Sequence, residues 1–135
     1  MIGDDIANRL LEFAAEILRI VGALDSSATA KHVARQLTRA GTSGGANYEE
    51  ARGAESRADF AHKTLVAAKE VRESVYWLKL IQRTGLAQGG DRLVQAIDEG
   101  GQLVAILKAS ANTARARIKE ATGRSVPVPS SDSGS

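Results

Sequence analysis

Three sets of side chains in this sequence have the types and spacing to do chemistry. The first is cationic. Lys31, Arg35 and Arg39 recur every four residues, and no acid occurs between Ser26 and Tyr48. Cations at that interval form a ridge on a helix, and such a ridge can follow a phosphate backbone. The plainer alternative is a solvated helix face. Near the end of the chain Arg115, Arg117, Lys119 and Arg124 face a single acid, Glu120. That basic end also complements a helix dipole, so it argues less strongly for a ligand.

The second set is carboxylic. Asp59, Lys63, Glu70, Glu73 and Trp77 fall within about 80° of arc on a helix. Paired carboxylates can do acid–base work. Arg39, Ser43, Asn47 and Glu50 share a similar arc of about 80° on the preceding helix. Both sets lie on the shoulder of an apolar stripe, where polar groups are partly desolvated and need partners. The structural reading is a polar network of Arg39, Ser43, Asn47, Glu50, Lys63, Glu70 and Glu73 between two helices, with Asp59 as a cap.

The third set is "GTSGG" at positions 41–45, which superficially resembles a phosphate loop. The phosphate-loop pattern needs a lysine directly after its last glycine and a strand before its first, and neither is present. His32 and His62 are the only histidines, no E-x-x-H or H-E-x-x-H pair exists, and there is no cysteine. Disulfides, thiolate zinc sites and cysteine nucleophiles are therefore excluded. No metal, cofactor or catalytic triad is expected.

These residues must be carried by helices. Alanine, leucine, glutamate and arginine are abundant, and no strand-length window alternates. Ile6, Leu10, Phe13, Ile17, Ile20 and Leu24 step by four and three, which draws a first helix over about Asp4 to Leu24. Leu11, Ala14, Leu18 and Val21 widen its stripe, so this helix is expected to bury more than one side. In the second, Val33, Leu37, Ala40, Gly44, Tyr48 and Ala51 fall within about 80°. The helical phase carries through the glycines, each costing roughly 1 kcal/mol relative to alanine. Gly41 and Gly44 land on or beside the inner face, where a small residue lets another backbone approach. A break near Gly44-Gly45 is the rival.

Ser56-Arg57-Ala58-Asp59 reads as a capping box opening a third helix, with Phe60, Ala67, Val71, Ser74, Leu78 and Ile81 inside and Gly85 at its end. Asp91 is expected to cap a fourth, with Leu93, Ile97, Gly100, Val104, Leu107, Ala111, Ala114 and Ile118 inside and Gly123 at its end. On the outer side of the third helix Leu65, Tyr76 and Leu80 stand among Lys69, Arg72 and Arg83. Large apolar groups on a charged face predict a contact between subunits. Four long helices with short links predict an all-α, antiparallel up-and-down four-helix bundle over residues 1–123, followed by a disordered tail at 124–135.

The 135 residues suffice for one domain with one core, and the net charge is only +2. The opening residues lack the basic flank of a secretory signal, and Arg9, Glu12, Glu16 and Arg19 make the first apolar stretch too charged to span a bilayer. A soluble, cytoplasmic protein is expected.

The run "RQLTRAGTSGGANYEEA", then "SRADFAHK", then "KEVRESVYWL", resembles the bacterial four-helix bundle protein family. That family includes proteins encoded by intervening sequences in large-subunit ribosomal RNA genes and is related to the accessory variability protein of diversity-generating retroelements. The matched region covers Gln36 to Leu78. Gly44 stands where members usually carry a larger apolar residue, Ala40 where serine is frequent, and Glu49 where a basic residue is common. The resemblance implies a bundle that assembles into a ring, commonly a homopentamer, with no established enzyme activity. In the retroelement relatives it implies binding to nucleic acid and a reverse transcriptase.

The function expected is a non-enzymatic, ring-forming accessory module binding nucleic acid or nucleoprotein. Lys31, Arg35, Arg39, Arg115, Arg117 and Lys119 would supply its phosphate contacts. The alternative is a structural protein–protein module without nucleic acid.

Overall fold

The computed structural model describes residues 2–87 and 90–122. They form four helices: α1 (Ile2–Gly22), α2 (Ala28–Arg52), α3 (Arg57–Thr84) and α4 (Gly90–Thr122). Each packs on its chain neighbours and α4 packs back on α1, while the diagonal pairs make no close approach. The result is an antiparallel up-and-down four-helix bundle of square section. The expected stop at Gly123 and the tail at 124–135 lie outside the described residues.

The helix starts are set by side chains that satisfy orphan amides. Ser27 Oγ accepts the Ala30 amide at 3.1 Å, and Ser56 Oγ accepts that of Asp59 at 3.0 Å. Gly85 ends α3 in the left-handed region at φ 70°, with its amide donating to Ile81 O at 3.0 Å. Two boundaries differ from expectation. α1 starts at Ile2 and stops at Gly22, and α4 starts at Gly90, which places Asp91 inside the first turn. A carboxylate there still faces the positive end of the helix dipole.

α2 runs unbroken through its glycines, and Val33, Leu37, Ala40, Gly44, Tyr48 and Ala51 are all buried. The glycines sit where two other helices press in. A Cβ on Gly41 would lie 2.5 Å from Ile17 Cδ1 of α1, and one on Gly44 would lie 2.7 Å from Val71 Cγ2 of α3. The helical propensity lost at these positions is offset by closer packing on both sides.

The core joins the inner stripes of all four helices, from Leu10, Phe13 and Ile17 through Leu37 and Val71 to Leu103 and Leu107. One expectation is overturned. α1 buries a single stripe; Leu11 is 69% exposed and Leu18 49%. α1 touches only α2 and α4, so no element among the described residues covers its second apolar side.

Ion pairs tie the seams. Arg9 grips Glu99 with two hydrogen bonds, at 2.9 and 2.7 Å, and Arg92 reaches Glu16 at 2.9 Å, both between α1 and α4. The two-pronged Arg9 bond holds the Arg9 guanidinium above its ordinary range, against a smaller opposing effect of burial. Arg52 of α2 pairs with Asp4 of α1. No described helix is long and apolar enough to cross a membrane.

Candidate nucleic-acid interface

The polar shoulder between α2 and α3 is built around Arg39. Its guanidinium donates to Glu70 at 3.2 Å, to Gln36 at 3.3 Å, and to Glu73. Glu73 also accepts the indole N–H of Trp77 at 3.0 Å. The two carboxylates considered for acid–base work are thus both committed to one cation. Other expected members behave differently. Ser43 and Asn47 donate to carbonyls of their own helix, at 2.6 and 2.8 Å. Lys63 pairs with Asp59 one turn away at 3.4 Å. Glu50 is exposed, and its carboxylate makes no hydrogen bond or ion pair among the described residues.

The expected cationic residues are not gathered into one site. Lys31 and Arg35 are exposed near the start of α2, whereas Arg39 is held in the shoulder. Arg115, Arg117 and Lys119 lie near the end of α4, at the opposite end of the antiparallel bundle. Arg117 also faces a different side from the other two and lines a cleft with Ile2, Arg57 and Phe60.

A longer cationic surface lies on the wall formed by α3 and α4. Lys69, Arg72, Lys79 and Arg83 fall within about 80° of arc on α3, and Lys108, Arg115 and Lys119 within about 40° on α4. No acid falls inside either arc. None of these seven cations has an ion pair among the described residues. Val75 meets Gly100, and Leu65 packs against a cluster of Ala61, Ala111 and Ala114. That register sets the α4 cations beyond Lys69 in one descending line. From Arg83 to Lys119 the line covers about 40 Å at the helical rise per residue.

Tyr76 stands within this line, between Arg72 and Lys79, and is 59% exposed. Its ring meets Trp77 edge-on at 5.1 Å, and Trp77 meets His32 of α2 at 5.9 Å. The three residues expected to form a subunit contact are therefore not alike. Leu65 and Leu80 are half-buried against the bundle's own core, and Tyr76 alone is exposed. The spacing 69, 72, 76, 79, 83 was present in the sequence as a heptad face, but the cations on it read there only as surroundings of apolar residues.

The family model for the 23S rRNA-intervening sequence protein matches residues 5–108. The chain belongs to that family. A solved structure agrees: a protein of unknown function from the S23 ribosomal protein family of Bacteroides thetaiotaomicron. It shares 31% identity, covers 77% of this chain and 95% of its own, and has a TM-score of 0.69. No curated protein matches the sequence. The retroelement kinship expected above is not part of these matches. The matched region contains α1 from Asp5, all of α2 and α3, and α4 as far as Lys108, and so includes the α3 cations and Tyr76 but not Arg115 or Lys119.

A second surface lies on the opposite wall. Leu11, Ala14, Ala15 and Leu18 of α1 and Thr42, Gly45, Ala46 and Glu49 of α2 line an open groove of about 690 Å³. Arg35, Thr38 and Val21 continue it toward the other end. Among the described residues no group of three His, Cys, Asp or Glu could hold a metal ion.

Proposed function

We propose that this protein is a non-enzymatic accessory module that binds nucleic acid or nucleoprotein through its α3–α4 wall. The observation that carries this reading is the line of seven cations without ion pairs among the described residues, on a bundle in which Arg9, Arg19, Arg39, Arg52 and Arg92 are held in salt bridges. Cations left unpaired on a rigid helix face are available to displace counterions from phosphates. The family name ties its members to 23S rRNA intervening sequences, which makes RNA the first probe. A salt titration against RNA and DNA is the test. Binding should weaken linearly in log–log form as salt rises. Lys79→Glu with Arg83→Glu should lower affinity roughly tenfold and flatten the slope by about 1–2 units. The same reversal at Lys31 and Arg35 should do less. Absence of binding even at low ionic strength would remove the reading.

The α1–α2 groove favours a second property, self-association. Its exposed leucines form a heptad pair, and its ends differ in charge: Asp4 and Glu49 share Arg52 at one, and Arg35 stands at the other. A second copy turned about a two-fold axis brings both complements, so this contact builds a dimer. Leu11→Asp with Leu18→Asp should shift the mass in solution to that of one chain. Aspartate at Leu65 or Leu80 tests folding instead, because those side chains are already packed.

A further inference from the structure

Granting a nucleic-acid role for the α3–α4 wall, we infer that its ligand is a single strand, and that Tyr76 is the platform on which a base stacks. Three features of the wall converge on this.

The cations run in single file. Their arcs are narrow and the line follows one helix and then the next, so it matches one phosphate backbone. The aromatic stands within that file. Arg72 lies four residues before Tyr76 and Lys79 three after it, which places both within about 6 Å of the Tyr76 Cβ on the helix surface. A base lying on the ring would have its flanking phosphates between two cations. A duplex keeps its base faces inside the stack and offers none to this ring.

The ring is also held ready. Trp77 packs against it edge-on, and Trp77 is itself fixed by its hydrogen bond to Glu73 and its contact with His32. Ordering is thus largely complete before a ligand arrives, which lowers the entropic cost of stacking. Glu73 stands three residues before Tyr76 and would repel a phosphate there. Arg39 and the indole N–H both engage that carboxylate, so its charge is drawn toward α2 and away from the wall.

The experiment uses the full chain with short single strands of RNA and of DNA and an RNA duplex of matching length. Trp77 is the single tryptophan, so its emission reports directly on the adjacent platform. Single strands should bind more tightly than the duplex and change the Trp77 emission. Tyr76→Ala should weaken single-strand binding roughly tenfold and leave duplex binding unchanged. Tyr76→Phe should retain the wild-type preference, because stacking needs the ring and not the hydroxyl. Melting curves of both variants establish that the bundle is intact, as expected for an exposed side chain. If Tyr76→Ala binds single strands as well as wild type while Lys79→Glu does not, stacking is wrong and the phosphate-binding reading survives. Tighter binding of the duplex than of either strand also overturns the inference. If neither strands nor duplex bind, both readings fall together.

Discussion

Arg39 on α2 and Glu73 on α3 form an ion pair that also fixes Trp77, because Glu73 accepts the indole N–H with the same carboxylate oxygen that receives Arg39. Sequence spacing placed Arg39 both in a phosphate-binding ridge and in a polar network with Glu70 and Glu73. Its partners in space favour the second of these and make it a positioning residue.

Arg39→Gln should therefore act in two ways. It should destabilise the bundle by about 1 kcal/mol, the scale of a half-exposed ion pair, read by chemical denaturation. It should also weaken single-strand binding several-fold by releasing the Glu73 charge toward the wall. Adding Glu73→Gln should restore most of that binding. A direct phosphate contact by Arg39 predicts no such recovery.

The helix glycines divide into two kinds. At Gly44 an added Cβ would lie 2.7 Å from the stiff, β-branched Val71, so Gly44→Ala should cost about 1–3 kcal/mol through overpacking, less the helix propensity it gains. Gly101 has open space around its Cβ position, so Gly101→Ala should stabilise by ~0.5–1 kcal/mol. Paired thermal melts of the two variants, shifting in opposite directions, are the expected result.

Thr64 is fully buried on α3, and its hydroxyl makes no hydrogen bond among the described residues. An orphaned buried hydroxyl costs about 1–3 kcal/mol. Thr64→Val keeps the branched shape and removes the polar atom. It should raise the denaturation midpoint without altering the slope of the transition.

Burial pushes the Tyr48 hydroxyl above its ordinary range, with Glu49 and Asp4 adding to the effect and Arg52 opposing it. The unfolded chain ionises near pH 10, so above that pH it binds fewer protons than the folded chain. Stability from this group is complete below pH 10 and declines as pH rises beyond it. Tyr48→Phe should flatten that alkaline decline in a pH series of denaturation curves and leave stability near neutrality little changed.

The bundle itself was legible because its signals are local. The apolar phase of α2 runs straight through Gly41, Gly44 and Gly45, and Ser27, Ser56 and Gly85 mark ends that a short window can read. The site was less legible because its determinants are not local. Helical spacing set Arg39, Glu70 and Glu73 on the shoulders of two helices, but not which of them pair across 31 and 34 residues of chain. Periodicity also shows that Leu11 and Leu18 form an apolar stripe, but it cannot say whether the same chain supplies a cover. α1 stands at a corner of the square, and none of the other described helices covers that stripe. Lys108 joins the α3 cations only once the register of α3 on α4 is known.

The cationic wall and the apolar groove face away from each other, one on α3 and α4, the other on α1 and α2. Copies joined back to back through their leucines would keep every tyrosine platform outward. Assembly would then raise valency without consuming it, and a modest grip by each subunit could become a firm hold on any strand long enough to reach two of them.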